Sequence, residues 1–348
     1  MAKTAIVLFN LGGPSALNAV EPFLFNLFND RAIIRAPAPI RYLIAKLISS
    51  RRAPIARAIY QQMGGSSTIL PQTQAQARGL ERALADLGTA KAFIAMRYWH
   101  PMSEETARAV AAFAPDRIVL LPLYPQFSTT TVASSLKAWA KAARKIGLAR
   151  PSVALCCYPA SGGFIEALVG LIRPALEGAR AHGTPRLLLS AHGLPKKIVA
   201  AGDPYQWQIE ETARHIIERL DLDGLDWRVC YQSRVGPLEW LGPSTDDEIK
   251  RAGAERRPVV IAPIAFVSEH SETLVELDIE YRKLAIEHGV PHYARVPTVG
   301  TWDAFIGALA DLVRGAVAQM PVDGTKICSA QGGRICPTAH RACALGGR

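Results

Sequence analysis

The chain has 348 residues, 49% apolar and 20% charged, which is enough for two domains of ordinary size, each with a core of its own. A formal charge of +10 favours acidic partners such as anionic lipid or a carboxylate-bearing ligand, while the lack of zinc-finger spacing, an RNA-binding strand signature or a dense Lys/Arg helix excludes nucleic acid as the expected partner. No apolar run reaches the roughly 18–20 residues of a membrane span.

Met1-Ala-Lys-Thr leads straight into the strand-like Ala5-Ile-Val-Leu-Phe9, so no signal peptide is expected and the protein reads as cytoplasmic. A continuous apolar strand of this kind suits the inside of a parallel sheet, and Asn10-Leu-Gly-Gly-Pro14 breaks it sharply. Residues 21–60 mix large apolar side chains with Arg31, Arg35, Arg41, Lys46, Arg51, Arg52 and Arg57. Such a stretch suits a membrane surface, or equally two ordinary helices with basic outer faces. A loop at Gly64-Gly-Ser-Ser67 precedes a helix over 73–87. Lys91-Ala-Phe-Ile-Ala-Met96 is the next strand, ending in Arg97-Tyr-Trp-His-Pro101, and a helix starts at Ser103. Arg117-Ile-Val-Leu-Leu-Pro-Leu123 is a third strand, ending in Tyr124-Pro-Gln-Phe-Ser-Thr-Thr-Thr131, with a helix over 133–143 after it.

The second half repeats this plan. Arg186-Leu-Leu-Leu-Ser-Ala-His-Gly-Leu-Pro195 aligns with residues 5–14 and sets His192 opposite Leu11. Pro258-Val-Val-Ile-Ala-Pro-Ile264 aligns with residues 117–123 and sets the loop 268–272 opposite 127–131. The alternation of strands and helices predicts an α/β protein of two similar Rossmann-like, doubly wound parallel-sheet domains facing each other across a cleft. The expected boundaries are 1–150, carrying the segment 21–60, then 151–320 with the catalytic groups, then a tail over 321–348.

Two places carry chemistry. Read with helical period, the stretch after the strand near Ala262 puts Glu272, Glu276 and Glu280 at i, i+4 and i+8 on one face, with His270 at its start. Like charges at that spacing repel by roughly 0.2–0.5 kcal/mol per pair. The row is either a solvated acidic face or a path for a cation. His192 stands at a sharp strand exit made by Gly193 and Pro195, a common place for a reacting group in α/β folds. A near-neutral imidazole there can accept a proton or bind a metal.

Ser190-Ala-His-Gly-Leu-Pro195, the segment 263–281, Tyr231-Gln-Ser-Arg-Val-Gly-Pro-Leu-Glu-Trp-Leu-Gly-Pro243, Leu123-Tyr-Pro-Gln-Phe-Ser128 and Asn10-Leu-Gly-Gly-Pro14 resemble the signature segments of the ferrochelatases, in the same order and over nearly the whole chain. The resemblance implies insertion of Fe²⁺ into protoporphyrin IX with loss of two pyrrole protons. It implies His192 and Glu272 as catalytic groups, and His192, Glu272, Glu276 and Glu280 as the metal-handling set. It also implies Leu11, Tyr98 and Trp240 as pocket walls, Arg97 and Ser128 as its polar rim, and His270 beside the substrate. The segment 21–60 matches the family's active-site lip, which favours a membrane-facing role.

Cys328, Cys336 and Cys343 cluster in the Gly-rich tail at spacings that fit no zinc module. Some ferrochelatases carry a [2Fe–2S] cluster on tail cysteines and one central cysteine, which requires four thiolates. The resemblance implies Cys157, Cys328, Cys336 and Cys343, with Cys156 as an alternative central ligand. Cys230 reads as core. The expected partners are protoporphyrin IX, Fe²⁺, an anionic membrane surface and a second copy of the chain. Rival readings are a coproporphyrin-specific relative, a cobalt or nickel chelatase, a non-catalytic haem or iron carrier, and a solute-binding protein.

Overall fold

The computed structural model describes residues 2–346 apart from 235 and 237. Val235 and Pro237, within the quoted segment 231–243, therefore lie outside the described residues. Nine strands occur among these residues: β1 Lys3–Asn10, β2 Thr89–Met96, β3 Arg117–Pro122, β4 Ser152–Leu155, β5 Arg186–His192, β6 Asp226–Gln232, β7 Val259–Pro263, β8 Tyr293–Arg295 and β9 Thr325–Cys328. They form two all-parallel sheets, ordered β2-β1-β3-β4-β9 and β6-β5-β7-β8.

The two orders share one pattern, since β2-β1-β3-β4 and β6-β5-β7-β8 are the same winding. The internal repeat read from residues 5–14 against 186–195, and 117–123 against 258–264, is thus a repeat of topology. Parallel strands covered by helices on both faces must be apolar throughout. Accordingly Ala5 to Phe9 in β1 and Leu187 to Leu189 in β5 are fully buried. Phe9 meets Trp139 edge-on beneath the first sheet. Under the second, Leu188 and Ile261 pack with Leu277 and Tyr281.

The chain divides into two compact units, 1–157 with 309–334, and 158–308 with 335–348. The division differs from boundaries at 150 and 320, for a reason visible in the backbone. Residues 325–328 are not loose tail but strand β9, which pairs with β4 and extends the first sheet. The helix Asp303–Ala318 carries the chain from one unit to the other.

In the first unit, the segment 21–60 forms the helices Val20–Phe28 and Ala38–Gln61. The longer helix buries Ala45, Ser49, Ala53 and Tyr60. Its other side exposes Ile40, Tyr42, Leu43, Leu47 and Ile55 together with Lys46, Arg51 and Arg52. In the second unit, the helix Thr245–Ala254 starts on Ser244, whose Oγ accepts from the Asp247 N–H at 3.0 Å. Asp246, Asp247 and Glu248 in its first turn complement the helix dipole.

The acidic stretch departs from the expected α-helix. Residues Glu272–Glu280 form a π-helix that continues as the α-helix Tyr281–Glu287. A π-helix closes i→i+5 hydrogen bonds, is rare, and is frequent at functional sites. Here side chains from the sheet grip its backbone: Gln232 Nε2 donates to the Glu272 carbonyl at 2.9 Å, and Tyr293 Oη donates to the Leu277 carbonyl at 2.6 Å.

Candidate active site at the carboxyl ends of the second sheet

The strands β5 and β6 end level with each other, pairing His192 with Gln232. The exit from β5 needs glycine. A Cβ on Gly193 would stand 2.8 Å from the Gln232 carbonyl oxygen and 3.2 Å from the Trp240 ring, and the Gly193 N–H donates to that carbonyl at 2.8 Å. His192 is anchored from below, because Tyr205 Oη donates to its carbonyl at 3.0 Å.

Facing it, Glu272 opens the π-helix. His192 Nδ1 lies 2.9 Å from Glu272 Oε2, and His270 Nε2 lies 3.9 Å from the same oxygen. The His270 ring stacks edge-on against Phe266 at 4.6 Å, and Thr273 Oγ1 accepts from the His270 N–H at 3.0 Å, which fixes the loop. Glu276, one π-turn on, is held by Ser233 N–H at 2.8 Å, Ser233 Oγ at 2.5 Å, Gln232 Nε2 at 3.1 Å and Tyr281 Oη at 3.1 Å. Glu280 is exposed on the surface. The four expected metal-handling residues therefore fall into a paired couple, a clamped carboxylate and a surface carboxylate. Among the described residues, no group of three or more His, Cys, Asp or Glu side chains is arranged to hold a metal ion.

Electrostatics separates these groups. Burial disfavours the His192 imidazolium, but the Glu272 charge and hydrogen bond outweigh it and raise its pKa, with Glu276 adding. Burial would raise the Glu272 pKa, yet His192 brings it down to about 2, helped by His270. Glu276 moves the other way: burial and then the Glu272 charge raise it, against the hydrogen bonds from Ser233 and Gln232. Burial lowers the pKa of His270, so it favours the neutral ring. A histidine–carboxylate couple, a second carboxylate of raised pKa and an imidazole that favours its neutral form can take up, hold and pass on protons or a cation.

The other candidates sit as follows. In the first unit, Arg97 and Tyr98 follow β2. Arg97 Nη2 bonds Asp30 Oδ2 at 2.7 Å and its Nε donates to Ser134 Oγ at 2.7 Å. Tyr98 is buried, and its hydroxyl donates to the same Asp30 oxygen at 2.9 Å. Burial would raise the Asp30 pKa, but hydrogen bonds from the Ser134 hydroxyl and the Ala32 N–H, then the Arg97 charge and the Tyr98 hydroxyl, outweigh it and hold Asp30 below the usual carboxylate range. Leu11 packs beside Tyr98 against Val20, Phe23 and Leu24. Ser128 is buried, 2.9 Å from Thr130 Oγ1. In the second unit, Trp240 bridges to Pro195 by backbone pairing and lies over Gly193.

All six cysteines are buried. Pairing of β4 with β9 brings Cys328 beside Cys156 and Cys157, whose sulfurs are 3.3 Å apart. Burial pushes the Cys328 thiol up to about 11. In the second unit, Gln208 Nε2 donates to Cys336 Sγ at 3.1 Å, and Trp207 lies against His340. Cys157 and Cys328 lie in the first unit and Cys336 and Cys343 in the second, so each unit taken by itself holds two of the four thiols. Cys230 is core, as read from the sequence, and its thiol is pushed up to about 12 by burial.

Several residues that hold the candidate groups in place escaped the sequence reading. Gln232 and Ser233 lie inside a quoted segment, and the repeat offers a signal for them, since they end the strand beside the one carrying His192. Asp30 had a signal too, as the sole acidic residue between Glu21 and Glu81.

A family model described as ferrochelatase matches residues 3–317. The chain belongs to the ferrochelatase family. It is 57% identical over 329 residues to a ferrochelatase of Caulobacter vibrioides, covering 94% of both chains. It is 54% identical over 345 residues to one from Phenylobacterium zucineum, covering 98% of both. Among solved structures it is similar to SirB from Bacillus subtilis with Fe³⁺, at a TM-score of 0.54 and 13% identity, covering 91% of this chain and 96% of that one. At that identity the likeness speaks for the fold alone. As a member of the ferrochelatase family the protein is an enzyme, and the His192–Glu272 couple is its candidate reacting centre.

Proposed function

We propose that the protein inserts ferrous iron into protoporphyrin IX to form protohaem. The observation that carries this reading is the His192–Glu272 couple at 2.9 Å, with Glu276 behind it, at the carboxyl ends of the second sheet in a ferrochelatase-family chain. Metallation must remove two N–H protons from the porphyrin and exchange the hydration shell of the cation for ring nitrogens. An imidazole paired with a carboxylate can take the first proton, and the carboxylate then stabilises the imidazolium that forms. Glu276 can receive a proton or offer its charge to the arriving ion, and Glu280 extends the carboxylates to the surface.

The porphyrin is a flat apolar disc with carboxylate tails, so it needs apolar contacts and polar rim groups. Trp240 over Gly193, and His270 against Phe266, supply flat contacts in the second unit. Leu11 and Tyr98 are proposed from the resemblance as pocket walls in the first unit. Arg97 meets a propionate with the N–H groups it does not direct to Asp30 and Ser134, and Ser128 offers a hydroxyl. Bending of the macrocycle by these contacts would expose its nitrogen lone pairs.

The exposed Ile40, Leu43, Leu47 and Ile55, on the same helix as the exposed Lys46, Arg51 and Arg52, support docking of this protein on an anionic membrane surface. Among the described residues no helix is long and apolar enough to cross a membrane. A [2Fe–2S] cluster on Cys157, Cys328, Cys336 and Cys343 is proposed from the resemblance and from the burial of all four thiols. Purified protein should then hold two irons and two sulfides per chain, and a full iron supply yielding colourless protein would dismiss it.

The deciding experiment is anaerobic incubation with protoporphyrin IX and Fe²⁺, following the porphyrin bands, for the wild type, His192→Ala and Glu272→Gln. Turnover that each substitution lowers by roughly 100-fold or more establishes the reading. Stoichiometric porphyrin binding without turnover overturns it in favour of a carrier.

A further inference from the structure

The Glu276 carboxylate is held in an unusual way. Its neighbours Glu269 and Asp278 both lean on a cation, Arg295, at 2.7 and 2.8 Å, and Glu272 is matched by His192. Glu276 instead receives neutral donors: one amide, one backbone N–H and two hydroxyls. A cation would have fixed it equally well but would have cancelled its charge. Neutral donors orient a carboxylate and leave the charge available to an incoming cation.

The donors are themselves fixed. Gln232 is 1% exposed, and Ser190 Oγ donates to its Oε1 at 2.8 Å, so the amide nitrogen must face the π-helix. That nitrogen serves both Glu276 Oε2 and the Glu272 carbonyl. Ser233 sits at φ +60°, a left-handed conformation unfavourable for any residue with a Cβ. In that turn its N–H and its hydroxyl both reach Glu276.

We infer that Gln232, with Ser233, is the positioning residue for metal delivery: it aims the Glu276 carboxylate and ties it to the backbone of Glu272 without neutralising it. The inference rests on the chelatase reading above. Outer partners that orient a metal-binding group typically change affinity or activity by roughly 10–100-fold when lost.

The test is steady-state metallation of protoporphyrin IX by the full chain, with Fe²⁺ varied, for Gln232→Leu, Gln232→Lys, Ser233→Gly, Glu276→Gln and the doubles of Gln232→Leu and Ser233→Gly with Glu276→Gln, alongside thermal melting. Gln232→Leu is expected to raise KM for Fe²⁺ about tenfold or more while kcat at saturating iron changes by a few-fold at most. Combined with Glu276→Gln it should add nothing further, because both act through one carboxylate. Gln232→Lys, which orients but neutralises, should also raise KM. If Gln232→Leu fails to fold, Ser233→Gly decides, since glycine relaxes the turn and removes only the hydroxyl. Additive losses in the double variants, an unchanged KM, or a Gln232→Lys that behaves as wild type would overturn the inference while an active wild type leaves the chelatase reading standing. A wild type without turnover would overturn both.

Discussion

His192 and Glu272 each shift the other's proton affinity, and the signs predict how the site responds to pH. A histidine whose pKa rises on folding contributes stability that is complete below its ordinary 6.5 and fades as pH climbs through the raised value. A carboxylate whose pKa falls from 4.5 to about 2 contributes stability present above 4.5 and lost as pH drops toward 2. The couple therefore stabilises most between 4.5 and 6.5. Thermal melting should show the deficit of Glu272→Gln to be largest in that window and smaller in alkali. For turnover, proton acceptance needs neutral His192, so kcat/KM should fall on the acid side through a pKa above 6.5. Glu272→Gln removes the main raising influence and should move that limb to lower pH; a limb that stays put would mean another group sets it.

At the scale of elements, the π-helix is held from outside as much as by its own hydrogen bonds. Arg295, at the end of β8, bridges Glu269 in the loop before the π-helix and Asp278 inside it, and is only 11% exposed. Arg295→Ala would remove the cation facing the partly buried Glu269 and leave Asp278 only its longer pair with Arg282 at 3.6 Å, and should destabilise the protein by about 3 kcal/mol, read from urea unfolding. Tyr293→Phe, losing one bond to the Leu277 carbonyl, should cost about 1 kcal/mol. Sequence period predicted an ordinary helix over this acidic row. Spacing alone could not show the π-helix, because the groups that grip it, Gln232 and Tyr293, come from other strands. The helix Ala38–Gln61 makes a different prediction. Leu43→Glu with Leu47→Glu should cut cosedimentation with phosphatidylserine-containing vesicles by at least tenfold and leave melting unchanged, since both side chains point to solvent.

At the scale of the whole molecule, the last residues complete the first sheet. Ending the chain after Ala318 would strip β9 from β4, exposing a row of backbone groups and the buried sulfurs beside it. Such a truncation should express as insoluble protein, and a soluble, folded product by circular dichroism would show β9 to be dispensable. Gly-rich composition around Cys328 reads as loose tail, yet four residues there pair with a strand about 170 positions earlier. Pairing at that separation leaves no local trace.

The repeated strand motifs, the apolar runs of buried parallel strands and the Gly193 exit after His192 are local in the chain, and each was decided by the sequence itself. So was the family, through segments such as 190–195 and 263–281. What needed the folded chain was every relation between groups distant in sequence: His192 with Glu272, Gln232 with Glu276, Arg97 with Asp30, and Cys328 with Cys156. Proton affinity and charge pairing depend on distances of a few ångströms across strands. Residue order carries no such distances until the sheets have formed.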